Sequence, residues 1–292
     1  MTLRSAAGVL AGGFGVVVGI VGSAAAAAAV LVALGLPPDG RADDPPQAPV
    51  VQPRPAVLVV ALSLGDPVLQ AGVVREGQVI LARGFEVDIA RNLARRLGIP
   101  HVRFVYVRPA SQALTAPVRP WHLMISSIRP TRAASALADL SEPYLGTDQA
   151  VVLRRGLPRL TRLSDLRGEI TCALRGSDGA FAIAASGVPG VRPILAPSND
   201  RLLQLVQTGV CDAAVVDADG VGHLVAGRGG LLAPITARIE FGGGFVVAVT
   251  RGGPIAVAEV GRALQRMRAD GTMHGLVRAW LRIDPSRLRP LR

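Results

Sequence analysis

Asp88-Ile89-Ala90-Arg91-Asn92-Leu93-Ala94-Arg95-Arg96-Leu97-Gly98 is the stretch whose pattern decides the fold. Ile89, Ala90, Leu93, Ala94 and Leu97 fall on one face of a 3.6-residue repeat, so the segment predicts an amphipathic helix. Asp88 suits the positive end of that helix, Arg95 and Arg96 suit the negative end, and Gly98 stops it. Apolar runs of strand length flank it at 56–62 and 102–107. A strand, a helix and a second strand in that order predict parallel pairing through a crossover. The same alternation continues through a strand at 123–126. It restarts near 148 with strands at 150–153, 170–174, 191–195 and 213–216 and a short helix at 202–207 ended by Gly209. A strand at 245–249 and helices at 255–267 and 273–281 complete the chain. The fold class expected is α/β, in two units.

Outward from this core, residues 5–36 carry no charge and include a run of alanines at 24–29. About 20 helical residues span a bilayer, and a secretory signal needs an apolar core of only about 7–15. Two readings stay open for 1–36, an uncleaved transmembrane anchor and a cleaved signal sequence. No cysteine lies near it, which excludes a lipoprotein anchor. Residues 37–55 hold seven prolines with Asp39, Arg41, Asp43 and Asp44, a composition that favours a stiff tether over a core. The folded part is expected from Ala56.

The 292 residues carry a formal charge of +11, and all 32 basic residues are arginine. These arginines are scattered and aromatics make up only 3% of the chain, which argues against nucleic acid as a partner. Two cysteines, Cys172 and Cys211, are too few for a disulfide framework and for a four-ligand zinc site.

Six short segments in order resemble one known family. They are Gly84-Phe85-Glu86-Val87-Asp88-Ile89-Ala90, Ser127-Ile128-Arg129-Pro130-Thr131-Arg132, Leu140-Ser141-Glu142-Pro143-Tyr144, Leu166-Arg167-Gly168-Glu169-Ile170 with Arg175-Gly176-Ser177, Gly209-Val210-Cys211-Asp212-Ala213-Ala214-Val215-Val216-Asp217, and Asp270-Gly271-Thr272 with Trp280-Leu281. Over about 57–283 the chain resembles the family 3 extracellular solute-binding proteins, which bind polar amino acids for ABC transporters. The resemblance implies a type II periplasmic-binding fold, two doubly wound sheets joined by a two-crossing hinge. Lobe 1 is then 56–147 with 242–292, and lobe 2 is 148–241. It implies an amino-acid ligand, an ABC transporter permease as partner, an extracytoplasmic location, membrane attachment through the N-terminal segment, and no cofactor, metal or catalytic step.

The resemblance also assigns roles. Arg132 matches the arginine that takes a ligand carboxylate, which a planar guanidinium fork does through two charge-assisted bonds. Ser127 matches a residue beside that carboxylate. Ser177 stands where a strand runs into a helix, a place that attracts anions and that also suits a capping serine. Asp217 ends a strand, where ligands bind in open α/β sheets, and matches the acceptor of the ligand ammonium. Arg129 stands where the family has threonine, and two arginines together would suit an acidic amino acid or another dianion. Aromatic residues usual after the first two strands are absent from 63–69 and 108–114, so the family pattern leaves ligand identity open. Trp121 and His122 are expected to be structural. In such a lobe the strands near Ile170 and Ala213 are neighbours, which would bring Cys172 and Cys211 together, as a disulfide or as two buried thiols. Two further readings remain, a ligand sensor or scaffold of the same fold without transport, and an enzyme similar to the cyclohexadienyl dehydratases.

Overall fold

The computed structural model describes residues 53–107, 110–226 and 232–292. The hydrophobic span at 1–36 and the linker as far as residue 52 lie outside the described residues. No helix among the described residues is long and apolar enough to cross a membrane.

The first lobe begins with β1 (Val57–Leu62). A hairpin follows, β2 (Ala71–Arg75) and β3 (Gln78–Arg83), turning at Glu76 and Gly77, both at positive φ. Then come α1 (Phe85–Arg96), β4 (His101–Tyr106), α2 (Ala110–Thr115), β5 (Leu123–Ile128), α3 (Arg132–Leu137) and β6 (Asp139–Leu140). The second lobe contains β7 (Gln149–Leu153), β8 (Thr171–Leu174), α4 (Asp178–Ala185), β9 (Ile194–Ala196), α5 (Asn199–Gln207), β10 (Ala213–Asp217), α6 (Val221–Leu224) and β11 (Ala237–Ile239). The chain returns to the first lobe with β12 (Val246–Val249), α7 (Val257–Ala269) and α8 (Thr272–Leu281), and ends in β13 (Arg289–Pro290).

The first sheet has the order β2-β3-β4-β1-β5-β12-β6, and the second β13-β11-β7-β10-β8-β9. β1 runs parallel to both β4 and β5, and β8 runs parallel to both β9 and β10. Each sheet is covered on both faces, which is why its central strands read as unbroken apolar runs. Along β1, Leu58, Val60 and Leu62 pack against Phe85, Leu93, Leu264 and Leu281 from α1, α7 and α8. Val59 and Ala61 point the other way, to Trp121, Met124 and Ala134. The two-residue period of a strand makes this split. The second sheet divides likewise, with Ala214 and Val216 on the side of Leu202 and Val206, and Ala213 and Val215 on the side of Ile183.

Two crossings link the sheets, at 144–148 and 240–245, and run side by side through the Leu145–Phe245 bridge. Thr147 Oγ1 donates to the Phe241 carbonyl at 3.1 Å. The C-terminal end corrects the expected lobe boundary. Residues 289–290 extend the second sheet beside β11, and Leu288 and Leu291 are buried in the second lobe. The segment 242–292 therefore belongs to lobe 1 only as far as α8. The reason is local, since the tail buries Leu288 and Leu291 in the two apolar faces of lobe 2.

Trp121 is 2% exposed, inside the lobe 1 core. His122 Nδ1 accepts from the Val59 amide at 3.1 Å, and burial, then the nearby Arg103 charge, lowers its pKa.

Candidate functional site

The floor of the cleft is a buried polar network that ties four segments of lobe 1 together. Glu86, at the start of α1, is fully buried. Its Oε1 accepts from the Ser127 amide at 2.8 Å and the Ser127 hydroxyl at 3.0 Å, and also from the Tyr144 hydroxyl. Its Oε2 accepts from Gln70 Nε2. Gln70 Oε1 in turn accepts from the amides of Ser63 and Leu64 at 3.0 and 2.9 Å, shaping the loop after β1. Burial pushes the Glu86 carboxyl above its ordinary range, against the downward pull of its hydrogen bonds. Burial, with the Glu86 charge, holds the Tyr144 hydroxyl well above its ordinary value. Ser127 sits at φ 49, a left-handed conformation uncommon outside glycine, and its amide and hydroxyl both donate hydrogen bonds to Glu86 in that conformation.

This changes the role expected for Ser127. Its hydroxyl and amide are both committed to Glu86, although the residue does line the cleft. Ser177 also serves locally, since its Oγ accepts from the Ala180 amide at 3.3 Å and caps α4. It lines neither of the cleft cavities. Arg132 is the largest departure. It stands exposed on the first turn of α3 and lines neither cavity that Asp217 lines. α3 is only six residues long, and Ala134 is its one buried residue. The short motif gives a spacing, but the register of this single turn points Arg132 to solvent.

Arg129 and Asp217 do share a cavity. It has a volume of about 170 Å³ and is lined from lobe 1 by Asp66, Leu69, Ser127 and Arg129, from lobe 2 by Asp217 and Asp219, and by Thr147, Asp148 and Phe245 of the crossings. A second cavity of about 340 Å³ opens on the other side of Asp66, Asp217 and Asp219, toward Asn199 and His223. Asp217 ends β10 and is exposed. Its Oδ1 accepts from Gln149 Nε2 at 3.0 Å, so the buried Gln149 fixes its rotamer. Gly179 lets α4 approach this strand, because a Cβ there would stand 2.5 Å from the Val215 carbonyl oxygen.

The charged residues lining the shared cavity are mostly acidic. The Arg129 guanidinium is paired with Asp178, the first residue of α4, in an ion pair that crosses the cleft. It also lies 5.6 Å above the Phe245 ring, within cation–π range. Asp148 is paired with Arg238. Asp66, Asp217 and Asp219 have no cationic partner among the described residues. Asp219 is pushed up to about 7 by burial, by Asp217 and by Asp66. The expectation of an acidic ligand rested on Arg129 and Arg132 acting together; Arg132 lines neither cleft cavity, and Arg129 is paired with Asp178. Phe245 is the aromatic wall that the strand-end segments did not reveal. No three acidic, histidine or cysteine residues among the described residues are grouped to hold a metal ion.

In lobe 2, Cys172 of β8 and Cys211, just before β10, are both fully buried and are joined as a disulfide, with 6.0 Å between their Cα atoms.

The family model for bacterial extracellular solute-binding proteins, family 3, matches residues 75–283. Among solved structures, substrate-binding domain 2 of Lactococcus lactis GlnP in the open conformation superposes with a TM-score of 0.66 at 17% identity, over 80% of this chain and 99% of that one. The unliganded, open L-cystine solute receptor of Neisseria gonorrhoeae gives 0.62 at 20% identity, over 79% and 94%. A binding component of an ABC transporter from Wolinella succinogenes, complexed with lysine, gives 0.53 at 20% identity, over 77% and 96%. A search of curated proteins finds no match. At these identities the structures establish the fold, and the family match covers most of the chain: the protein belongs to the bacterial extracellular solute-binding proteins, family 3.

Proposed function

We propose that the protein captures a small polar solute of amino-acid size outside the cytoplasm, by closing its two lobes, and delivers it to an ABC transporter permease. The observation that carries this reading is the shared cavity, where Asp66, Ser127 and Arg129 of one lobe face Asp217 and Asp219 of the other. A solute that touches both walls favours the closed form, because it makes both sets of contacts only there. Closure also excludes water and strengthens each charge interaction. The ammonium of the solute belongs at Asp217, which Gln149 holds ready. The Wolinella relative bound to lysine supports a solute with a positive group. Nothing in this capture requires proton transfer, and the reading is of a binding protein and not an enzyme. The N-terminal segment, as anchor or cleaved signal, serves export.

The test is a thermal-shift screen of the full chain against the amino acids, followed by calorimetry. The expected result is a stabilising solute whose affinity falls at least tenfold in Asp217→Ala, about 1.4 kcal/mol. A solute that stabilises the Asp217→Ala variant equally well would remove the site from this cavity.

A further inference from the structure

The capture reading leaves open what the solute must carry besides its positive group, and three observations bear on that. The first is the pairing of Arg129 with Asp178. Arg129 is the one arginine that lines the cleft cavity, and the protein already places a carboxylate on it. A ligand carboxylate would have to displace Asp178, which would then stand unpaired at the cleft wall. The second is the wall beyond Arg129. On the far side of Ser127 and Arg129 lies a cavity of about 310 Å³ lined by Leu114, Ile128, Ala134 and Leu137, which offers a carboxylate no second cation. The third is the disposition of the unpaired acids. Asp66 belongs to lobe 1, and Asp217 and Asp219 to lobe 2, and all three line both cleft cavities. Without a solute, Asp66 faces Asp217 and Asp219 across the cleft, a repulsion that works against the attraction of the Arg129–Asp178 pair. With a cation between the aspartates the sign of their interaction reverses. The described residues contain no group of acidic, histidine or cysteine side chains that could hold a metal ion, and the cavity of about 340 Å³ beside the aspartates has room for an organic cation.

Resting on the proposed capture function, we infer that the cleft selects an organic cation, an amine or guanidine, and discriminates against an α-carboxylate because Asp178 already fills that role on Arg129. The solute's positive group bridges Asp66 and Asp217, and the charge it brings turns the repulsion between these aspartates into attraction.

The experiment is calorimetric titration of the full chain with two pairs of probes that differ in the α-carboxylate alone, agmatine against arginine and cadaverine against lysine. The expected result is that at least one decarboxylated probe binds ten times or more tighter than its parent amino acid. Asp178→Asn releases the guanidinium of Arg129, and should strengthen the amino acid, weaken its amine and so narrow or reverse the ratio. Arg129→Gln removes the cation altogether, and should weaken the amino acid relative to the amine further. The two variants move the ratio in opposite directions, and each is first checked for a cooperative thermal transition. If arginine and lysine bind tighter than agmatine and cadaverine in the unaltered chain, the inference is overturned while capture of an amino acid stands. If no probe and no amino acid binds, the capture reading itself fails.

Discussion

Glu86 and Asp219 show how one functional group, the carboxyl, acquires two different tasks from its surroundings. Glu86 accepts from four donors in the floor of the cleft. Glu86→Ala would leave the Ser127 and Tyr144 donors without their acceptor, while Gln70 Nε2 keeps the Ile125 carbonyl and the Ser126 hydroxyl, and each buried unsatisfied group costs roughly 1–3 kcal/mol. We expect the variant to lose about 3 kcal/mol or more in urea unfolding, and Tyr144→Phe to lose about 1 kcal/mol, because it removes one donor and leaves the acceptor its other partners. Asp219 has no such donors from neighbouring side chains, and its pKa is raised to about 7 by burial, by Asp217 and by Asp66. A raised carboxyl pKa means that the unliganded protein loses stability as pH climbs from about 4 to about 7, since the ionised form is better accommodated in the unfolded chain. A cation in the cleft has the opposite preference and binds the ionised form. Its affinity should therefore rise between pH 6 and pH 8, and binding near pH 7 should release a proton. Titrations in buffers of different ionisation heat would show it. His223 and Arg129 are the other charged or titratable groups lining the two cavities beside Asp66, Asp148 and Asp217. At this scale the sequence was informative where backbone geometry dictates a position. Asp217 could be placed because it ends an apolar strand. Arg132 could not, because a six-residue helix has no periodicity to say which way its first turn faces. Asp66, Asp219 and Gln149 look like loop and strand residues until the chain is folded. Glu86 did leave a signal, a carboxylate in the first turn of a helix whose next residues are apolar.

Among the elements, α1 was the most legible, because its apolar face, terminal charges and stop residue all agree, and the observed helix runs from Phe85 to Arg96. The buried parallel strands followed from their apolar runs. The β2–β3 hairpin did not, since its Val73, Val74, Ile80 and Leu81 stay partly or largely exposed and the strands lie at the sheet edge. A strand read from burial has no such signature there. Within lobe 2, the disulfide ties β8 to the segment entering β10 across a separation of 39 residues. In the chain-entropy view, a loop of that size limits the unfolded ensemble by about 4 kcal/mol. Replacing both cysteines by serine should lower stability by a comparable amount in denaturant unfolding, and a thiol assay of the unfolded, unreduced chain should find no free thiol. Two free thiols would count against the bridge. At the crossings, Gly242 has φ 82, and a Cβ there would stand 2.6 Å from both Arg129 Nη1 and Thr147 Oγ1. Gly242→Ala should therefore disturb the Arg129–Asp178 pair and shift solute preference toward carboxylate-bearing ligands, as Asp178→Asn does, besides lowering the unfolding temperature.

On the scale of the whole molecule, the restart of the strand–helix pattern near 148 made the division into two lobes readable, and the family resemblance supplied its order. The C-terminal tail was not readable, because Leu288 and Leu291 are spaced as in any loop and acquire meaning only beside β11. The electrostatics of the cleft were also hidden. The chain as a whole is strongly basic, yet the cavity between its lobes presents three unpaired aspartates, since two arginines that could have balanced the site are spent on Asp178 and Asp148. A cationic solute meets a basic exterior and an acidic interior, so raising ionic strength should weaken its binding less than it would at an exposed acidic patch. Closure by charge reversal is the claim on which this description of the molecule stands. Calorimetric titration of agmatine into the full chain and into Asp217→Asn tests it most directly. Clear binding to the first and at least a tenfold loss in the second are expected. Equal affinity in the two proteins would contradict it.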